Sequence, residues 1–372
     1  MAVKKTSNNL ESPQVAHGGR VYEAARRLGV APDEVIDFSA NINPLGPPPG
    51  VIAAVEKSLA PANLRSYPDS QAFISALAEK HGVAPDEIVV GAGSAALIFA
   101  ALRAVLPSTA LVMGPGFAEY FRACAAVEAE VLRSWLIEKN GFEPDFAALA
   151  RIVEAGQCDL LILNSPHNPT GRLYAREDLL ALVESAEANE VAVLLDEAFI
   201  DYAPQASLLR VAATKSRFVV LRSLTKFYAI PGLRVGYAVC AAGMAASIRE
   251  QLDAWPVSTV ALEAGRAALA EEEYGMETRR LNAQAREEFA AALREIGVSV
   301  FPSDANFLLA KLSRGSGAEL AQWLESSRIL IRRCDSFCGL GDGYIRLAVK
   351  SREDNLRLVS LIKTWLGRSE LC

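Results

Sequence analysis

Three short segments of the chain concentrate residue types that perform nucleophilic and acid–base chemistry. They are residues 164–171 (Asn-Ser-Pro-His-Asn-Pro-Thr-Gly), Asp196 in Asp-Glu-Ala-Phe, and Ser223-Leu-Thr-Lys226 with Arg234 shortly after it. A lysine with a lowered pKa can form an imine with a carbonyl compound, and a carboxylate can stabilise a cationic nitrogen. Taken singly, each segment also suits a turn, a helix cap or a solvated loop. Their combination needs a common explanation.

The predicted secondary structure brings these segments together. Short runs rich in Val, Ile and Leu alternate with helical patterns, which predicts a largely parallel sheet covered by helices on both faces. The predicted strands are 87–90, 110–113, 159–163, 191–195, 218–221 and 234–239, and the predicted crossover helices include 95–105 and 176–189. Each segment lies at or just beyond the carboxyl end of a strand, where open α/β sheets bind ligands. We therefore expect a charged cluster that a ligand compensates.

The pattern changes after Cys240. Residues 260–294 predict one long helix with a possible interruption, and a smaller α+β domain follows it. Its predicted strands are 298–301, 307–311, 329–331 and 344–349, and its predicted helices are 318–326 and 352–366. The Pro- and Gly-rich residues 44–50 predict a linker. We expect an N-terminal arm over 1–46 that joins the small domain, a large domain over 47–258, and a small C-terminal domain over 259–372.

Composition and charge exclude several classes of protein. The 372 residues carry a net charge of −6, which does not favour nucleic-acid binding or a DNA-binding regulator. Residues 1–14 are polar and do not resemble a signal peptide. The longest apolar run, residues 88–102, is too short to cross a membrane and contains glycines, so it predicts a strand, a turn and a buried helix. We expect a soluble cytoplasmic protein.

The six cysteines are scattered, and we expect them to be reduced thiols. Cys334 and Cys338 raise the question of a metal site. Two thiols in a chain with three histidines are too few to complete a convincing zinc site. The sequence therefore predicts no metal, with the cysteines in packing or surface roles.

The charged cluster suits pyridoxal 5′-phosphate (PLP). This cofactor requires an amine for an imine, a carboxylate for its ring nitrogen, and donors for a phosphate dianion. Residues 91–95 (Gly-Ala-Gly-Ser-Ala), between a predicted strand and a predicted helix, supply a helix N-terminus for the phosphate. A Gly-x-Gly turn alone is weak support, but here it supplies the part that the other segments lack.

The ordered motifs resemble the class I/II aminotransferase superfamily of fold type I PLP enzymes over essentially the whole chain. The resemblance implies an α/β fold with a mainly parallel central sheet in the large domain and a smaller α+β domain. It also implies that Lys226 holds PLP as a Schiff base, that Asp196 pairs with the ring nitrogen and that Asn168 approaches the phenolic oxygen. The remaining implied contacts are Ser94, Ala95, Ser223 and Arg234 with the phosphate, Phe117 with the ring face, and Tyr67 with the phosphate of the partner subunit in a homodimer.

Within the superfamily the chain resembles the histidinol-phosphate aminotransferases and, more closely, the threonine-phosphate decarboxylases of cobalamin biosynthesis. The segments that favour the latter include His17-Gly-Gly and residues 37–46 (Asp-Phe-Ser-Ala-Asn-Ile-Asn-Pro-Leu-Gly). This resemblance implies decarboxylation of O-phospho-L-threonine to (R)-1-amino-2-propanol O-phosphate, and the alternative is an aminotransferase acting on histidinol phosphate. The implied substrate-binding residues are His17, Asn41, Asn168, Arg332 and Arg346.

Several of these assignments have plainer explanations. Arg332 and Arg346 are spaced to end two adjacent strands, where they could clamp an anion, but arginines there also form surface ion pairs. A histidine in an N-terminal arm, such as His17, is more often exposed than functional. Phe199 stands where many aminotransferases have a tyrosine that bonds to the cofactor, which agrees with a decarboxylase without selecting it.

Overall fold

The structure is a computed structural model, and it describes residues 17–368. The polar segment 1–14 and Cys372 lie outside the described residues. The strands are β1 (Ile36–Asp37), β2 (Ile88–Gly91), β3 (Thr109–Gly114), β4 (Glu130–Trp135), β5 (Leu160–Asn164), β6 (Ala192–Asp196), β7 (Phe218–Ser223), β8 (Gly236–Val239), β9 (Ser299–Val300), β10 (Phe307–Lys311), β11 (Ile329–Leu330), β12 (Arg332–Arg333) and β13 (Tyr344–Ala348). The α-helices are α1 (Val21–Leu28), α2 (Pro49–Ser58), α3 (Pro61–Leu64), α4 (Gln71–His81), α5 (Ser94–Val105), α6 (Ala118–Ala126), α7 (Phe146–Glu154), α8 (Arg176–Ala188), α9 (Leu209–Ala212), α10 (Ala242–Arg249), α11 (Thr259–Leu269), α12 (Glu272–Glu295), α13 (Gly317–Glu325) and α14 (Arg352–Arg368).

The central sheet has seven strands in the order β2-β8-β7-β6-β5-β3-β4. Its strands run parallel except β8, which is antiparallel to both of its neighbours, β2 and β7. The prediction of a largely parallel α/β sheet is therefore confirmed. The inner strands β5, β6 and β7 are buried along their whole length, as their apolar composition predicts.

The edge strand β4 was not predicted from the sequence. It pairs in parallel with β3 from Thr109–Glu130 to Gly114–Trp135. Most of its residues are only half-buried, because an edge strand is covered on fewer sides. Its mixed composition (Glu-Val-Leu-Arg-Ser-Trp) accordingly lacks the continuous apolar run that marks the inner strands.

Helices cover both faces of this sheet and form two apolar cores. The core on one face includes Phe73 of α4 and Leu182 of α8, and the core on the other face includes Leu97 of α5 and Ile248 of α10. Residues 88–102 form a strand, a turn and a buried helix, as predicted. Within residues 17–368, no helix combines the length and the apolar composition needed to cross a bilayer.

The C-terminal part of the chain adds a four-stranded antiparallel sheet in the order β12-β13-β10-β9. The short strands β1 and β11 pair in parallel beside it, so residues near the N-terminus join this layer. The helices α12, α13 and α14 pack on it around a core that includes Phe38, Phe289 and Ile345. The strand predicted over 329–331 is confirmed as β11, which pairs with β1. The separate strand β12, which pairs with β13, was not predicted.

The helix predicted over 260–294 is interrupted, as the pattern allowed, and forms α11 and α12. The two helices contact different partners, since α11 packs against α2 and α4 and α12 packs against α14. The packing of α11 ties it to elements of the predicted large domain. The domain boundaries remain a prediction.

Candidate active site

A cavity of about 400 Å³ lies at the carboxyl edge of the central sheet, where it meets β12 and β13. Its lining contains almost every residue proposed from the sequence. These are Ser94, Ala95, Phe117, Asn168, Asp196, Ser223, Lys226 and Arg234 from the cofactor set, and His17, Asn41, Asn168, Arg332 and Arg346 from the substrate set. Tyr67 lies outside this lining, with 74% of its surface exposed, and stacks on Trp255 at 4.0 Å between ring centroids.

Lys226 follows the end of β7 and lines the cavity. Its Nζ donates a hydrogen bond of 2.7 Å to Thr225 Oγ1, which lies 2.8 Å from Ser223 Oγ. Burial of the amine, followed by the positive charge of Arg234, lowers the pKa of Lys226 to about 8. A useful fraction of the amine is therefore unprotonated, and hence nucleophilic, near neutral pH.

Asp196 ends β6, and its carboxylate is buried. Tyr120 donates its hydroxyl to Oδ2 at 2.7 Å, and the Ala198 amide donates to Oδ1 at 3.0 Å. Burial raises the pKa of Asp196, and these two donors together with the charge of Lys226 act against that rise. The carboxylate is thus held in a fixed orientation, ready to pair with a cationic nitrogen.

Asn164 and Asn168 connect neighbouring strand ends. Asn164 lies opposite Asp196 in the sheet register and donates its side-chain amide to the Asp196 carbonyl at 2.7 Å. Its Oδ1 accepts the backbone amide of Asn168 at 2.7 Å. Arg346 Nη1 then donates to Asn168 Oδ1 at 2.6 Å. This chain of hydrogen bonds holds Asn168 between the sheet edge and the C-terminal layer.

The start of α5 forms a cradle suited to an anion. The helix begins at Ser94, where the first backbone N–H groups have no partner within the helix. Gly93 has φ +84°, and a Cβ placed on it would lie 2.8 Å from Arg234 Nη2. A Cβ on Gly236 would lie 2.9 Å from the Ser94 nitrogen, and Gly236 pairs in register with Ser223. The glycines therefore let a guanidinium, a hydroxyl and a helix N-terminus converge, which suits a phosphate.

Arg332 and Arg346 face each other in register across β12 and β13. The prediction that they lie on adjacent strands is confirmed. The prediction that they end those strands is wrong, because Arg332 begins β12 and Arg346 lies in the middle of β13. Arg332 donates to Ser336 Oγ at 2.8 Å and lies over the Phe337 ring at 5.0 Å. Burial lowers the pKa of Arg346 to about 10, and the charge of Arg332 adds to this effect.

His17 lies beside the cavity rather than free of the protein. Its Nε2 is 2.9 Å from Glu119 Oε1, and its ring centroid is 5.9 Å from that of Phe117. Phe117 is the residue that precedes α6, and its ring meets Tyr120 edge to face at 5.6 Å.

Asn41 also lines the cavity, and its buried Oδ1 has no hydrogen-bond partner among residues 17–368. An incoming polar group would satisfy it.

Sequence reasoning assigned no role to Tyr120, Thr225 or Asn164. Tyr120 comes three residues after Phe117, and that spacing places neighbouring residues on one side of a helix. Thr225 lies between Ser223 and Lys226 in the sequence, so its position beside them could have been predicted. The pairing of Tyr120 with Asp196 could not be predicted, because the two residues lie 76 positions apart in the sequence.

The cysteines among residues 17–368 belong to no cluster of metal-ligating side chains. Cys334 is buried and Cys338 is exposed. Among residues 17–368, no group of three or more His, Cys, Asp or Glu side chains is arranged to hold a metal ion.

The sheet with its single reversed strand, and the lysine, carboxylate and anion cradle at its carboxyl edge, define an aminotransferase-like α/β protein. The family model described as aminotransferase class I and II matches residues 33–362, and the chain belongs to this family.

Individual relatives narrow the comparison. The chain is 38% identical over 357 residues to a threonine-phosphate decarboxylase of Salmonella typhimurium, covering 94% of this chain and 96% of the relative. The solved structure of an L-threonine-O-3-phosphate decarboxylase from Porphyromonas gingivalis matches with a TM-score of 0.78 at 27% identity, covering 90% of this chain and 100% of the other. A histidinol-phosphate aminotransferase from Clostridium acetobutylicum matches with a TM-score of 0.84 at 29% identity, with the same coverage.

Proposed function

We propose that this protein is a PLP-dependent carboxy-lyase that converts O-phospho-L-threonine to (R)-1-amino-2-propanol O-phosphate for cobalamin biosynthesis. The 38% identity to a threonine-phosphate decarboxylase of Salmonella typhimurium supports the reaction class. The observation that carries the substrate class is the facing pair Arg332 and Arg346 in the same cavity as Lys226. The substrate has a carboxylate and a phosphate, and two guanidinium groups can bind two anionic groups.

The donor set of the cavity fits PLP. Lys226 Nζ would bind its aldehyde carbon, Asp196 its ring nitrogen, and Phe117 the face of its ring. Its phosphate would lie at the cradle formed by the start of α5, Ser223 and Arg234. The unusually close approach of Gly93 to Arg234 supports this assignment, because a side chain at 93 would fill the cradle.

When bound, PLP supplies an electron sink for the bond that breaks at the substrate Cα. The protein must therefore hold the Cα–carboxylate bond perpendicular to the ring for decarboxylation, or the Cα–H bond for transamination. Arg332 and Arg346 would choose between these orientations by where they bind the carboxylate and the phosphate. Lys226, with its pKa of about 8, can then deliver a proton to Cα after CO₂ leaves.

The proposal is tested by incubating the purified, PLP-loaded protein with O-phospho-L-threonine in the absence of any 2-oxoacid. We expect release of CO₂ and formation of the phosphorylated amino alcohol. O-phospho-L-serine is measured beside it, since one methyl group discriminates by only about 1–3 kcal/mol. Conversion of histidinol phosphate that requires a 2-oxoacid acceptor, with no CO₂ from phosphothreonine, would establish the aminotransferase instead.

We also propose that the active protein is a homodimer in which Tyr67 reaches the partner's phosphate cradle. The exposed stack of Tyr67 and Trp255, together with the exposed Leu64, supports an interface on this side of the molecule. The test mixes Lys226→Ala with Tyr67→Ala under conditions that exchange subunits. If sites are shared, hybrid dimers contain one site with neither substitution, and activity exceeds that of both parents. A mixture no more active than its parents would contradict sharing.

A further inference from the structure

The first three described residues, 17–19, are called the arm below, and they lie in direct contact with the backbone of Ser39. A Cβ on Gly18 would come within 2.2 Å of the Ser39 carbonyl oxygen, so only glycine permits this approach. The Gly19 amide donates to Ser39 Oγ at 2.9 Å, and Gly19 has φ +84°. Both glycines are therefore required for the path of the arm.

Ser39 is itself held from two sides. Its hydroxyl and its backbone amide donate to Asp37 Oδ1 at 2.5 and 2.7 Å. Its carbonyl oxygen accepts a hydrogen bond of 2.9 Å from Arg346 Nη2. Ser39 is buried, with 5% of its surface exposed. One residue thus connects the arm to an arginine of the substrate site.

Glu119 holds the arm from the other side of the cavity. Its Oε1 lies 2.9 Å from His17 Nε2, and Arg122 Nη1 donates to both carboxylate oxygens at 2.9 Å. Glu119 is 6% exposed and lines the cavity, although the expected substrate is anionic. A carboxylate in that position repels an anion unless a cation compensates it, and Arg122 is placed to do so. His17 adds a hydrogen-bond partner on the side of the arm.

We propose that Ser39 and Glu119 are positioning residues that fix His17 beside the cavity and so complete the binding site for an anionic substrate. This inference rests on the proposed function. Neither residue has to touch the substrate, because each acts through the arm. The two glycines of the arm serve the same purpose by allowing its contact with Ser39.

The inference is tested with Ser39→Ala and Glu119→Gln in the PLP-loaded protein, each alone and combined with His17→Ala. Losing one hydrogen bond raises the KM for O-phospho-L-threonine about three- to tenfold, and kcat changes less than about twofold. In the His17→Ala background neither substitution raises KM further, because the effects of substituting residues that act through the same group are not additive. Equal KM increases in both backgrounds would overturn the inference.

A second measurement does not depend on turnover. Hydrogen exchange of the peptide that contains the Gly18 and Gly19 amides becomes about tenfold faster in Ser39→Ala, because the Gly19 amide loses its acceptor. Unchanged exchange would also overturn the inference. A protein that does not act on O-phospho-L-threonine would refute the proposed function while this measurement still tests the arm.

Gly18→Ala provides an independent variant with a matched control. The added Cβ displaces the arm, so KM rises to the value of His17→Ala. Gly243→Ala adds the same atom in open space on α10 and leaves KM unchanged. A Gly18→Ala protein with unaltered KM and arm exchange would contradict the proposed role of the arm.

Discussion

Arg332 and Arg346 lie opposite each other on neighbouring antiparallel strands, and both side chains line the cavity that contains Lys226. Residues paired in this way project to the same face of a sheet, and like charges so placed destabilise each other. Burial lowers the pKa of Arg346 most, and the positive charge of Arg332 lowers it further. The cavity therefore carries a charge repulsion that an anionic ligand relieves.

Replacing Arg332 by Met should weaken substrate binding without destabilising the ligand-free protein. A charge-assisted hydrogen bond contributes about 1.5–3 kcal/mol, so KM for the phosphorylated substrate should rise roughly 10- to 100-fold. The free energy of unfolding without ligand should fall by less than about 1 kcal/mol, because removing one of two like charges offsets lost packing. Steady-state kinetics and urea denaturation measure the two effects.

The neighbouring residue Arg333 supplies the control. Arg333 is exposed and pairs with Asp335. Arg333→Met should therefore leave KM unchanged, since an exposed ion pair contributes about 0–1 kcal/mol. An equal loss of affinity in both variants would show that general positive charge, rather than the position of Arg332, determines binding.

The lowered pKa of Lys226 predicts a pH-dependent stability of the cofactor-free protein. Between pH 8 and 10.5 the folded protein has lost this proton while the unfolded chain keeps it. The unfolded state then binds more protons, so the free energy of unfolding rises with pH in this range. The destabilisation of the folded protein by the buried Lys226 is therefore complete below pH 8 and becomes smaller as the pH rises. The unfolding free energy of Lys226→Met should exceed that of the wild type by the largest amount below pH 8. This difference should shrink by up to roughly 3 kcal/mol by pH 10.5. A difference independent of pH would contradict the lowered pKa.

Removing the Tyr120 hydroxyl should move the acidic limb of the activity profile. The hydrogen bond from Tyr120 lowers the pKa of Asp196 against the opposing effect of burial. In Tyr120→Phe the carboxylate should therefore take up its proton at higher pH, and kcat should begin to fall at higher pH as the solution is acidified.

Tyr174→Phe is the matched control for Tyr120→Phe. The Tyr174 hydroxyl is buried and has no hydrogen-bond partner among residues 17–368. Its removal should leave the pH profile in place and should not lower stability, because an unpaired buried polar group is unfavourable. Identical shifts in both variants would show that the pairing with Asp196 is not responsible.

A buried ion network beneath the site should control stability. Arg222, which precedes Ser223, pairs with Asp201 and lies 3.6 Å from Glu197 Oε2, and both Arg222 and Glu197 are almost fully buried. Arg222→Met leaves these carboxylates without their cation and should cost about 3–5 kcal/mol of unfolding free energy. The exposed Arg217→Met should change it by less than about 0.5 kcal/mol, as measured by urea denaturation. Similar losses in the two variants would contradict the importance of the network.

The sequence predicted the inner strands because their continuous Val, Ile and Leu runs reflect burial on both faces. It also predicted the anion cradle, since Gly-x-Gly before a helix is a local signal. The edge strand β4 escaped detection because partial exposure allows polar residues in it.

The contacts that orient the candidate site could not be predicted in the same way. The register of Arg332 with Arg346 depends on a change of partner strand at Ile331, which leaves no mark in composition. The contact of Gly18 with Ser39 depends on the path of the arm in the folded protein. Such relationships follow from the tertiary arrangement rather than from local residue types.

The reversed strand β8 limits which insertions and deletions the site tolerates. Because β8 returns antiparallel to β7, residues 224–235 leave and re-enter the sheet at the same edge. Lys226 and Arg234 are therefore carried by one short loop, whose length fixes the separation between the amine and the guanidinium. An insertion or deletion in this loop would alter that spacing while Asp196, on a different strand, stayed in place. The length of the loop thus determines how long a molecule must be to contact both Lys226 and Arg234.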